Sequence, residues 1–110
     1  MSNSNIIMMK RGDTLPVLER TLQYSSGTAI NLTGATVRFK TRNRDTGAVV
    51  TNGLCTVVSA TAGTVSYTWQ SADTATAGEY DAEFEVTFPS GVLSVPNFGF
   101  LRLSVGEDVS

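Results

Sequence analysis

The chain has no histidine, a single cysteine, and no apolar run approaching the ~20 residues with which a helix spans a bilayer. The first absence excludes Ser-His-Asp and Cys-His nucleophilic sites and every histidine-ligated zinc centre. The second excludes a disulfide within the chain, so the fold stands on packing alone. Cys55 has no basic neighbour in sequence to favour its thiolate, and we read it as a buried structural thiol. The third leaves no membrane-spanning helix, and the polar start, Met1 to Asn5, lacks a secretory apolar core. We therefore expect a soluble protein made in the cytoplasm, with 1–5 as a flexible terminus. Charge is sparse as well. Charged residues make up 16% of the chain and the net charge is −2, with Lys and Arg dispersed, so nothing tracks a phosphate backbone.

The remaining routes to chemistry fail one by one. Glu83 and Glu85 are a carboxylate pair of the kind glycosidases use. They lie two apart on one strand face, however, and regular alternation makes that row a solvated stripe. No Asp-x-Asp-x-Asp loop with a distal Glu is present for calcium, and Asp13, Asp45 and Asp73 read as turn residues. Neither Gly12-Asp13-Thr14 nor Asp45-Thr46-Gly47 opens a glycine-rich loop ending in Lys-Ser or Lys-Thr, so no phosphate cradle forms. We expect no enzyme, cofactor, metal, nucleic acid, membrane or small-molecule substrate.

What the chain does have is period-two alternation. With 41% hydrophobic residues it is too apolar to be disordered, and 110 residues suffice for one core, so residues 1–110 read as one domain. Short alternating segments recur between turn signals and no window holds a helical period, the pattern of a β-sandwich or barrel. In Thr36 to Arg42, Val37, Phe39 and Thr41 face inward while Arg38, Lys40 and Arg42 face water. In Glu79 to Phe88, Tyr80, Ala82, Phe84 and Val86 form the inner row; Glu79, Asp81, Glu83 and Glu85 form the outer one. Val65, Tyr67 and Trp69 share a third buried face. Ile6 to Met9 starts the first strand, Pro16 to Tyr24 reads as an edge strand, and Phe98 to Val105 closes the sheet. Asn52-Gly53 is a hairpin signal between strands Ala48 to Thr51 and Leu54 to Ser59. Ser71 to Ala77 has room for one helical turn capped by Ser71.

Gly78-Glu79-Tyr80-Asp81-Ala82, preceded by Asp73, resembles the tyrosine corner of immunoglobulin-like domains, in which a hydroxyl bonds back to nearby backbone. A wider set of segments runs through the chain: Gly12-Asp13-Thr14, Asn31 to Phe39, Thr46 to Val50, Gly63 to Trp69, Asp73-Thr74, Ala77 to Val86 and Pro96-Asn97. In order and spacing this set resembles the amino-terminal immunoglobulin-like domain of phage upper baseplate proteins. The resemblance implies an immunoglobulin-like sandwich of two antiparallel sheets with about seven to nine strands. It also implies a structural virion role: connecting tail or baseplate components through contacts with other virion proteins, in a homo-oligomeric particle.

Candidate interface residues follow from the charge rows. If the strand of Arg38, Lys40 and Arg42 and the strand of Glu79, Asp81, Glu83 and Glu85 lie in opposite sheets, one outer face is basic and the other acidic, and copies stack head to tail. Ile6 and Ile7 join them as an apolar initial strand able to pair within its own sheet or with another subunit. Two alternatives stay open: a capsid decoration protein, and a receptor- or carbohydrate-binding sandwich with Tyr24 and Phe98 as its aromatic platform.

Overall fold

The computed structural model describes residues 6–96 and 99–107. Among these residues nine strands follow in order: β1 (Ile6–Lys10), β2 (Leu18–Thr21), β3 (Thr36–Asn43), β4 (Val49–Leu54), β5 (Thr56–Ser59), β6 (Thr64–Tyr67), β7 (Gly78–Phe88), β8 (Gly91–Val95) and β9 (Leu101–Gly106). They make two sheets of a β-sandwich. The larger has the order β1-β9-β7-β3-β4, and the long β7 also pairs with β8 through its second half. The smaller has the order β2-β6-β5. Every ladder is antiparallel except β1–β9, which runs parallel from Ile6 opposite Arg102 to Lys10 opposite Gly106.

The inner rows meet between the sheets. Val37, Phe39, Ala82, Phe84 and Val86 of the large sheet and Val65, Tyr67 and Trp69 from the β6 side are all buried. Phe39 sits at the centre, with the rings of Phe84, Tyr67 and Trp69 at 5.0, 5.2 and 5.5 Å. These offset and edge-on contacts add to the area they bury, because a ring's positive edge meets its neighbour's negative face. Ile7 and Met9 point into the same core from β1.

Three local expectations are corrected. Asn52-Gly53 makes no turn: β4 runs straight through it, and Gly53 lies opposite Phe39. The glycine serves packing, since a Cβ there would collide with the hydroxyl-bearing edge of the Tyr67 ring. Instead of turning back in a hairpin, the chain crosses from the large sheet to the small one with only Cys55 between β4 and β5, and Cys55 N–H donates to the Val37 carbonyl at 2.8 Å. One turn that does close a hairpin lies just before β4, where the Asn43 side chain accepts from the amides of Asp45 and Thr46 and Gly47 takes a φ of +77°.

Secondly, a 3-10 turn spans Ser71–Thr74, but its cap is Gln70 rather than Ser71. The Asp73 carboxylate reaches back to the Gln70 amide at 2.8 Å, satisfying a donor the turn leaves free. Thirdly, the last strand begins at Leu101; Asn97 and Phe98, like residues 1–5, lie outside the described residues.

Candidate functional site

The outer face of the large sheet gathers the charged rows, and here the structure overturns the two-faced arrangement. β3 and β7 are neighbours in one sheet, with Arg38 opposite Glu85, Lys40 opposite Glu83 and Arg42 opposite Asp81. Alternation in a sequence assigns side chains to a face without assigning the strand a partner. Opposite charges across a ladder favour the pairing and like charges oppose it. The result is a mixed ladder rather than a basic face and an acidic one. Lys40 bridges diagonally to Glu85 at 3.0 Å, Arg42 to Asp81 at 2.9 Å and Arg44 to Asp81 at 3.5 Å. On the far side of β7, Glu79 receives Arg102 at 3.4 Å and the Ser104 hydroxyl at 2.7 Å. Arg38 donates to the Asn52 carbonyl oxygen at 3.2 Å, and Glu83 makes no ion pair among the described residues.

Apolar side chains frame this ladder. Ile6, Arg102, Asp81, Arg42 and Val49 form one row across β1, β9, β7, β3 and β4. Above it stands Phe100, half exposed, with the Arg42 guanidinium 4.9 Å from its ring centroid. Clefts of about 370 and 210 Å³ flank it, the first reaching Ile6, Arg44 and Arg102, the second Lys40, Val49 and Glu83. Sequence reasoning passed over Phe100 in favour of Tyr24 and Phe98. The signal was parity: Phe100 shares the even positions of Arg102 and Ser104, which face away from the buried Leu103 and Val105. Tyr24 is half exposed in the segment beside β8, remote from this row, and Phe98 lies outside the described residues. Ile7, grouped with Ile6 as an interface candidate, belongs to the core instead, because successive strand residues face opposite ways.

The edges of the same sheet are apolar too. Along β1 runs a groove of about 460 Å³ lined by Met8, Met9, Lys10, Leu15 and Pro16. At the other edge Val49 and Leu54 of β4 are well exposed.

Two buried hydrogen-bonded groups brace the sandwich behind this face. The Tyr80 hydroxyl donates to the Thr76 carbonyl at 2.5 Å, four residues upstream, just after Gly78 opens β7. Asp73 serves a different tyrosine: its carboxylate accepts from the Tyr67 hydroxyl at 2.6 Å and from Thr51 at 2.9 Å. Burial first, then the hydrogen bond and charge of Asp73, hold the Tyr67 phenol well above its ordinary range. Burial also pushes the Tyr80 phenol up, and the Cys55 thiol to about 12, where it stays protonated and inert. Among the described residues no three His, Cys, Asp or Glu side chains are grouped to hold a metal ion.

Residues 1–102 match the family profile of the BppU N-terminal domain. The chain belongs to this family. BppU N-terminal domains are phage baseplate structural modules, which associates the chain with the virion tail and with other virion proteins. The match takes in β1 to β8 and the start of β9, hence both sheets and the charged outer face. No curated protein matches the sequence.

Proposed function

We propose that this BppU N-terminal domain is a non-enzymatic connector of the tailed-phage virion, joining tail or baseplate components by protein–protein contacts in a homo-oligomeric assembly. The observation that carries the reading is the family match over residues 1–102. The surface supports it. Ile6, Met8, Val49, Leu54 and Phe100 are exposed around arginines that hold ion pairs with Asp81 and Glu79, and aromatic, Met and Arg side chains are the types enriched in protein interfaces. In this reading Ile6, Arg38, Lys40, Arg42, Glu79, Asp81, Glu83 and Glu85 contribute to contacts through one mixed face, while Gly78, Tyr80 and Asp73 keep the sandwich rigid beneath it. Residues 1–110 act as one unit.

Immunogold labelling of purified virions with antibody raised against this chain tests the location. Gold at the tail tip is the expected result. Label spread over the capsid would replace the connector by a decoration protein, and label on neither intact nor disrupted particles would sink a virion role.

A further inference from the structure

The two clefts beside Phe100 differ in charge. The one that reaches Val49 is lined by Lys40 and Arg42 against Asp81 and Glu83, two of each sign. The other, of about 370 Å³, is lined by Ile6, Arg44, Asp81, Phe100, Leu101 and Arg102, so two arginines share it with one aspartate. The groove along β1, with Lys10 and Asp13, is balanced again. On a chain whose net charge is −2, the cleft between Arg44 and Arg102 is a local positive site.

The backbone places its groups. Asp81 of β7 lies opposite Arg42 of β3 on one side and Arg102 of β9 on the other, each strand about 5 Å from the next. Arg44 follows the end of β3; its amide donates to the Glu79 carbonyl at 3.1 Å, which keeps it beside β7 and lets its side chain reach back to Asp81. Ile6 stands across from Arg102, and with the half-exposed Phe100 it gives the cleft apolar walls.

Depth separates the charges. The Asp81 side chain is 17% exposed and those of Arg44 and Arg102 are each 42% exposed, so an approaching group meets the guanidinium ions first. Neither arginine is saturated. Arg44 meets Asp81 through Nε at 3.5 Å, on a carboxylate that Arg42 already engages at 2.9 Å. Arg102 reaches Glu79 through Nη1 at 3.4 Å, and Ser104 holds that carboxylate more closely, at 2.7 Å. Among the described residues both Nη groups of Arg44 and Nη2 of Arg102 are left for a further acceptor. A carboxylate fits them, because its two oxygens match the planar fork of a guanidinium, and apolar walls that exclude water strengthen the bond.

We propose that this cleft receives an aspartate or glutamate side chain flanked by apolar residues, presented by a segment of a neighbouring virion protein. The carboxylate bridges Arg44 and Arg102 while its apolar neighbours rest on Ile6 and Phe100. Loosening the existing contacts costs little, since half-exposed ion pairs of this length are weak. The inference deepens the connector reading and rests on it for the partner's place in the virion.

Amide chemical shifts of the isotope-labelled full chain, titrated at low salt, provide the test. The probe is the capped peptide acetyl-Leu-Glu-Leu-amide, with acetyl-Leu-Gln-Leu-amide and inorganic phosphate as controls. The glutamate peptide is expected to saturate in the millimolar range, with shifts centred on Arg44, Asp81 and Phe100 to Arg102. The glutamine peptide is expected to bind about tenfold more weakly. Arg44→Gln and Arg102→Gln each reduce affinity about fivefold, whereas Arg11→Gln, beyond the far end of β1, leaves it unchanged. Unchanged melting temperatures verify folding; if either glutamine variant melts early, the lysine variant at that position, which keeps the charge and loses the fork, takes its place and is expected to weaken binding too. A glutamate peptide that does not saturate, shifts centred elsewhere, equal binding of the glutamine peptide, or full binding by both arginine variants would each overturn the proposal. Phosphate bound as tightly as the peptide would overturn it as well, by making the cleft a general anion site. Gold at the tail tip without peptide binding would leave the connector reading standing and remove only this contact. Peptide binding by a chain that labels no virion would instead sink the connector reading, and with it the partner named here.

Discussion

Thr41 and Thr51 sit directly opposite each other in the β3–β4 ladder, both buried, and yet their hydroxyls have opposite fates. Thr51 donates to Asp73; Thr41 Oγ1 has no partner among the described atoms. A buried hydroxyl without a partner carries its desolvation cost uncompensated. Thr41→Val, which keeps the β-branched shape, is expected to be neutral or to stabilise by about 1 kcal/mol, while Thr51→Val costs about 1 to 3 kcal/mol by taking the donor from Asp73 Oδ1, the buried carboxylate keeping Tyr67 and Gln70 on its other oxygen. Urea denaturation of the two variants checks this, and equal effects would contradict the network. Gly53 makes a parallel case. Gly53→Ala places a methyl against the ring of Tyr67, whose hydroxyl is tied to Asp73, and a cost of about 1 to 3 kcal/mol is expected on the same assay. Neither outcome was legible in the sequence. Asn-Gly reads as a turn wherever local preference decides, and here an aromatic ring from another strand decided.

The β3–β7 ladder shows what a strand can and cannot announce. Its apolar row was plain from alternation, and Phe84 lies in it, fully buried against Phe39. Phe84→Ala is expected to cost about 3 to 5 kcal/mol, a large part of a domain's total stability, with a melting temperature lowered by well over ten degrees. The charged row on the other side contributes much less. The Arg42 side chain remains about half exposed, so its bridge to Asp81 is screened by water and salt; Arg42→Ala is expected to cost at most about 1 kcal/mol, shrinking further in high salt. A larger loss would mean that the stacking of Arg42 on Phe100 matters more than the ion pair. Which strand lies beside which was beyond local pattern. The seven-residue spread of Arg38 to Arg44 and that of Glu79 to Glu85 are equally compatible with opposite sheets until the core places β7 against β3.

Titration acts on the sandwich from the alkaline side. With no histidine in the chain, the buried groups of consequence are Cys55, Tyr67 and Tyr80, all raised by burial, Cys55 from 9.0 to about 12. A group whose folded value is raised keeps its stabilising effect below its unfolded value and loses it as pH climbs toward the folded one. Above about pH 9 the unfolded chain releases protons that the folded chain retains, and each such group lowers stability by up to ~1.4 kcal/mol per pH unit. The melting temperature is therefore expected to fall between pH 9 and 12, and less steeply in Cys55→Ala; an identical slope would mean that Cys55 does not titrate in that window. The sequence alone established the β-sandwich class, the inward rows, the lack of histidine chemistry and the family, because period, composition and motif order are properties of the chain taken in line. The mixed charge ladder, the straight run through Asn52-Gly53 and the exposed Phe100 belong to tertiary structure, since each depends on which strand becomes a neighbour, and that choice is made by the packing of the shared core.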